Sequence, residues 1–95
     1  MPTDTAKDTR VLIAHIPEDA LAAATPGEIG KLAWPKLRPE KAARRAGRVL
    51  WHLERNECVK AAPLLFSRVY WLTPKGVVWR KHFTAAIQEE AAHAT

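Results

Sequence analysis

Residues 38–55 read RPEKAARRAGRVLWHLER. Pro39 suits the first position of a helix, where its missing N–H leaves no bond unmade. Ala42, Ala43, Ala46, Val49, Leu50 and Leu53 then fall on one stripe at 100° per residue. That is the pattern of a helix laid with one face on a core. The opposite side carries Lys41, Arg44, Arg48, Trp51, His52 and Arg55, with Arg45 on the flank. The stretch holds six Arg and Lys against two Glu. Exposed helices usually mix their signs, because opposite charges at i, i+4 support one another. A basic stripe about three turns long takes its counter-ions from outside the chain.

The flanking residues give this helix neighbours. TPGEIGKLAW, residues 25–34, places Thr25, Pro26 and Glu28 as a capping box. In such a box the hydroxyl accepts the Glu28 N–H and the carboxylate reaches back to the Thr25 N–H. Ile29, Leu32 and Ala33 supply helical apolar spacing, and Pro35 ends the helix at about Trp34. WPKLRP is then a short turn with two prolines. Downstream, Asn56 is expected to stop the basic helix in a left-handed conformation. VKAAPLLFSRVYWL reads as β-structure rich in branched and aromatic residues. Val59–Ala61 and Phe66–Leu72 are the expected strands, with residues 62–65 at the turn. Thr73 and Pro74 open a last helix over 74–92, along which Trp79, Phe83 and Ile87 recur at i, i+4, i+8. Upstream, the polar residues 1–8 are expected to be flexible. A first helix is expected from near Thr9 through RVLIAHI, interrupted at Pro17, with PEDALAAA as a short second piece.

This order is helix, helix, tight turn, basic helix, hairpin, helix. It resembles the winged helix-turn-helix regulators of the broad MarR and PadR type. The residues that carry the likeness are TPGEIGKL for the supporting helix, AGRVLWHLERNECVK for the recognition helix and its exit, and YWLTPKG for the strand leaving the wing. The likeness covers about residues 10–80. It implies an α+β, mostly α fold: a three-helix core, a β-hairpin wing and a C-terminal helix, forming one domain over 9–95. Two features depart from the pattern. The recognition helix leaves through Asn56, Glu57 and Cys58, and the wing tip reads APLLFSR with Arg68 as its only cation.

Charge supports the same direction. Net charge is +5 over 95 residues. Residues 31–60 hold nine basic side chains against three acidic ones, and the rest of the chain holds six against seven. A basic middle in a near-neutral chain suggests a local polyanion footprint, the alternative being a solvated face that happens to be basic. The candidate DNA contacts are Lys41, Arg44, Arg45 and Arg48 in the major groove, with Lys31, Lys36, Arg38 and Arg68 on flanking phosphates. Arginine suits this work because its planar fork bonds guanine O6 and N7 together, or a phosphate bidentately.

Other chemistry is thinly represented. His15, His52, His82 and His93 lack metal-ligand spacing, and with one cysteine no zinc site is expected. Cys58 is expected to be a buried small apolar residue. GEIGK is too short for a phosphate-binding loop and continues into Leu32. No nucleophile–base or paired-carboxylate set stands out, so no enzyme, cofactor or small-molecule ligand is expected. No apolar run approaches the roughly 18 residues of a membrane span. MPTDTAKDTR lacks the order of a signal peptide. A soluble, cytoplasmic protein is therefore expected. Trp51 is expected to pack under the wing, and Trp34, Trp71 and Trp79 to serve the core or a dimer contact. The line of Trp79, Phe83 and Ile87 either pairs two copies as a homodimer or packs on the first helix of its own chain, the dimer being favoured. The leading function is sequence-specific binding of double-stranded DNA by a transcriptional regulator. The alternatives are a protein-interaction module on the same fold, docking through the apolar APLLF tip, and nucleic-acid binding by charge alone.

Overall fold

In the computed structural model the backbone is described for residues 2–93 and the side chains for residues 6–84. Helix α1 spans Pro2–Ile13 and is followed by a 3-10 turn, Ala20–Ala22. Helix α2 is Pro26–Ala33, α3 is Pro39–Arg55, and strands β1 (Val59–Leu64) and β2 (Ser67–Leu72) lead into α4, Pro74–His93.

The helix caps form as their residues dictate, as a full capping box at α2 and a single capping bond at α4. Thr25 Oγ1 accepts the Glu28 N–H at 3.2 Å, and Glu28 Oε1 accepts the Thr25 N–H at 3.1 Å. The Thr25 N–H, and the Thr25 hydroxyl that donates to the same Oε1 at 3.0 Å, hold the Glu28 carboxyl below its ordinary pKa, because they favour the charged form. Thr73 Oγ1 likewise accepts the Gly76 N–H at 3.1 Å, opening α4. The same hydroxyl donates to the Glu57 carbonyl at 2.6 Å, so one threonine joins the exit of α3 to the start of α4.

The inner stripe of α3 closes the core as expected. Ala42, Ala46, Val49, Leu50 and Leu53 are buried, with Leu12 and Ile13 of α1 and Ile29 of α2 around them. Cys58 joins this cluster, and burial pushes its thiol pKa up. Helices α2 and α3 approach closely at Gly30, where an added Cβ would stand 2.5 Å from the Ala42 carbonyl oxygen. Helix α4 passes Cys58 closely at Gly76, where that distance is 2.0 Å.

The hairpin is antiparallel, with Val59 opposite Leu72 and Leu64 opposite Ser67. A third segment enters the sheet at a single residue. Ala24 exchanges both backbone bonds with Tyr70, at 2.8 and 3.2 Å. β2 therefore lies between β1 and the residue before the α2 cap.

Four expectations are corrected. Helix α1 begins at Pro2 and not near Thr9. Pro2 costs no donor at a first position, and Ala6 and Thr9 border a hollow shared with Leu53 of α3 and Trp79 of α4. Second, β1 runs on through Pro63 and Leu64, leaving only Leu65 and Phe66 at the turn. A proline is tolerated on the strand of a two-stranded ribbon, where unpaired N–H positions are available. Third, Asn56 is not left-handed, with φ −91°, and the left-handed residue is Glu57, φ 62°. The Cys58 N–H returns to the Leu53 carbonyl at 2.8 Å and the Glu57 N–H to Glu54 at 3.0 Å. Those two bonds define a Schellman exit and place the left-handed residue one position after the cap. Fourth, Trp51 does not pack under the wing. It is 53% exposed, because Leu50 and Leu53 fill the inner face and residue 51 points about 100° away from residue 50.

Candidate nucleic-acid interface

Lys41, Arg44 and Arg48 follow one another up the outward face of α3, all exposed. Among the described residues none of the three forms an ion pair. Gly47 sits between Arg44 and Arg48, and an added Cβ there would meet nothing within 4 Å. Arg44, Gly47, Arg48, Trp51 and His52 together line a shallow groove along the helix. The upper wall is aromatic: the Arg55 guanidinium stands 4.7 Å from the Trp51 ring centre, and His52 meets that ring edge-on at 5.1 Å. A helix is about 10–12 Å across with its side chains, close to the 12 Å width of a B-DNA major groove.

The remaining candidates divide into three groups. Lys31 in the last turn of α2, Lys36 in the turn and Arg38 at the start of α3 are exposed. Arg38 makes no side-chain capping bond, so its guanidinium is not spent on the helix end. Arg45 is half-buried and lies over the Trp34 ring at 5.2 Å, joining α3 to the α2–α3 turn. It borders the edge of the basic face with Lys36, not its crest. Arg68 is engaged elsewhere. Its guanidinium bonds the Glu54 carboxylate at 3.0 and 3.5 Å and lies 5.6 Å from the Tyr70 ring centre. It thus braces the wing against α3.

The expected dimer line is split. Trp79 and Phe83 are partly buried against the core of their own chain and meet edge-to-face at 6.3 Å. The side chain of Ile87 lies outside the described residues. On the outer side Val78 and His82 are exposed and border a hollow with Trp79 and Phe83. Among the described residues no three His, Cys, Asp or Glu side chains gather as metal ligands, and no helix is long and apolar enough to cross a membrane.

Sequence reasoning missed three parts of this face. Gly47 carried a signal, since a mid-helix glycine costs about 1 kcal/mol relative to alanine and wants a reason. The Arg55–Trp51 stack had one in its i, i+4 spacing. The Arg68–Glu54 bond had none, because it joins residues far apart in the chain.

No family model matches the chain, and no characterised protein matches it in sequence. In three dimensions it is similar to the crystal structure of MepR, a transcription regulator of the Staphylococcus aureus multidrug efflux pump MepA. The TM-score is 0.60 over 95% of this chain, at 18% identity. The chain spans 60% of the length of that regulator chain. With four α-helices and a two-stranded wing among the described residues, and this likeness, the fold is an α+β winged helix-turn-helix.

Proposed function

We propose that this protein is a cytoplasmic transcription regulator that binds double-stranded DNA sequence-specifically, with α3 in the major groove. One observation carries the reading: the outward face of α3 presents Lys41, Arg44 and Arg48 exposed and without carboxylate partners among the described residues. Arg44 and Arg48, on either side of Gly47, are the candidates for base edges. Lys31, Lys36, Arg38 and Lys41 are the candidates for flanking phosphates, and Arg45 for an edge contact. The N-terminus of α3 adds its dipole toward phosphate. The similarity to a solved transcription regulator agrees with this assignment at the level of fold. A homodimer would set two such helices on half-sites about 34 Å apart, through the α4 face around Trp79, Phe83 and Ile87.

The test is a titration against the DNA upstream of the protein's own gene, beside random DNA, at about 50 and 200 mM salt. About four neutralised phosphates, one each for Lys31, Lys36, Arg38 and Lys41, give a slope of log K on log salt of roughly −4. The expected result is that slope with a preference of roughly 10³-fold or more for the upstream DNA. The Arg44→Ala/Arg48→Ala double variant, with an unchanged circular dichroism spectrum, is expected to lose binding. Binding equal to the parent's would refute the assignment of α3. Equal, salt-sensitive affinity for both duplexes would indicate coating by charge. No binding at either salt would point to a protein partner.

A further inference from the structure

The basic face leaves the tip of the wing unexplained. Leu65 and Phe66, the two residues that join β1 to β2, are 94% and 102% exposed. Leu64 before them is half exposed. Leu65 has φ 41°, in the left-handed region where two-residue hairpin turns ordinarily use glycine or asparagine. Two large apolar side chains held in water on a strained turn contribute nothing to the core. Such features persist where a contact needs them.

The tip is also uncharged. Residues 61–67 contain no ionisable side chain. The next cation, Arg68, turns back to Glu54 of α3, so it is not offered at the tip. That ion pair and the Ala24–Tyr70 bridge hold the wing on both sides. The wing is therefore tied to α3 and to the residue before the α2 cap, and its tip has no charge with which to hold phosphate.

We propose that the wing tip is an apolar wedge: Leu65 and Phe66 enter the minor groove beside the site occupied by α3, part a base step and kink the duplex. This rests on the DNA-binding reading above. A minor groove about 6 Å wide admits the tip of a ribbon but not a helix. Phenylalanine and leucine are among the side chains that serve as such wedges, and they bend DNA by about 20–90°. The step opened is a flexible one, TA or CA/TG, where unstacking costs least. Area argues against a protein partner on the same tip. Three side chains expose on the order of 400 Å², half of the roughly 800 Å² that each side of a standard protein interface buries.

The experiment uses the upstream DNA as a duplex of about 30 base pairs, with a donor and an acceptor dye at its ends and 2-aminopurine beside its pyrimidine–purine steps. The parent is compared with Leu65→Asn/Phe66→Ala, since asparagine accepts a positive φ. On binding, the parent is expected to raise end-to-end energy transfer and 2-aminopurine fluorescence. The variant is expected to bind with the same salt slope and within about tenfold of the parent affinity, because lost apolar burial and avoided unstacking offset each other. Its duplex stays straight and its 2-aminopurine quenched. A parent complex with straight DNA, or a variant that bends DNA as the parent does, overturns the wedge and leaves major-groove binding standing. A parent that binds no duplex overturns the DNA reading itself, and the wedge with it.

Discussion

Three glycines on helices serve different ends. At Gly76 an added Cβ would stand 2.0 Å from the Cys58 carbonyl oxygen, and at Gly30 2.5 Å from that of Ala42. Both obstacles are backbone, which cannot swing aside. Alanine at either position is expected to cost about 1–3 kcal/mol or more by overpacking. In a chain of this size each kcal/mol lowers the melting temperature by roughly 4–8 °C. Gly47 is the reverse case, with open space around it. Gly47→Ala is expected to raise stability by about 1 kcal/mol through helix propensity. The same methyl would stand between Arg44 and Arg48 and hold the helix off the DNA, weakening binding by about tenfold or more. Thermal melts and a binding titration of the three variants check this. If Gly47→Ala binds as the parent does, that part of α3 does not lie against DNA. The sequence shows each glycine but not which has a carbonyl above it.

At the scale of the element, the wing is held to α3 by Arg68 and Glu54, whose side chains are 52% and 34% exposed. An ion pair so accessible to water contributes about 0–1 kcal/mol to stability. Its larger effect is on what Arg68 can do. Glu54→Gln is expected to leave the melting temperature within a few degrees of the parent's. It would release Arg68 toward phosphate, raising affinity and steepening the salt slope by about 0.9. An unchanged slope would show that Arg68 is out of reach of DNA even when released. Helix limits α2 and α3 were legible because their caps are local: Thr25 with Glu28, Pro39 at a first position, Pro35 as a stop. The left-handed exit at Glu57 was not. Its two backbone bonds reward the geometry whatever the side chain, and glutamate gives no hint of it.

At the scale of the whole molecule, a homodimer through α4 has a sharp expectation. Sedimentation of the parent should show concentration-dependent association toward twice 10.6 kDa. Val78, 64% exposed beside Trp79 and Phe83, allows association to be separated from folding. Val78→Glu should keep the melting curve and shift the equilibrium to monomer. A parent that stays monomeric at all concentrations would remove the dimer, and with it the paired half-sites. Trp79→Ala would not make this distinction, because Trp79 also leans on its own core. By itself the sequence determined the element order, the stripe of α3 that faces the core, the two Thr-Pro helix starts and the basic character of the outward face. Each is written in periods of three to four residues, or in contacts between near neighbours. Only the tertiary structure decided how far α1 extends, that Ala24 joins β2, that Trp51 stays in water, and that Arg68 is spent on Glu54. Those outcomes depend on residues brought together across the chain, where packing and long-range hydrogen bonds override local preference, and no spacing in the sequence records them.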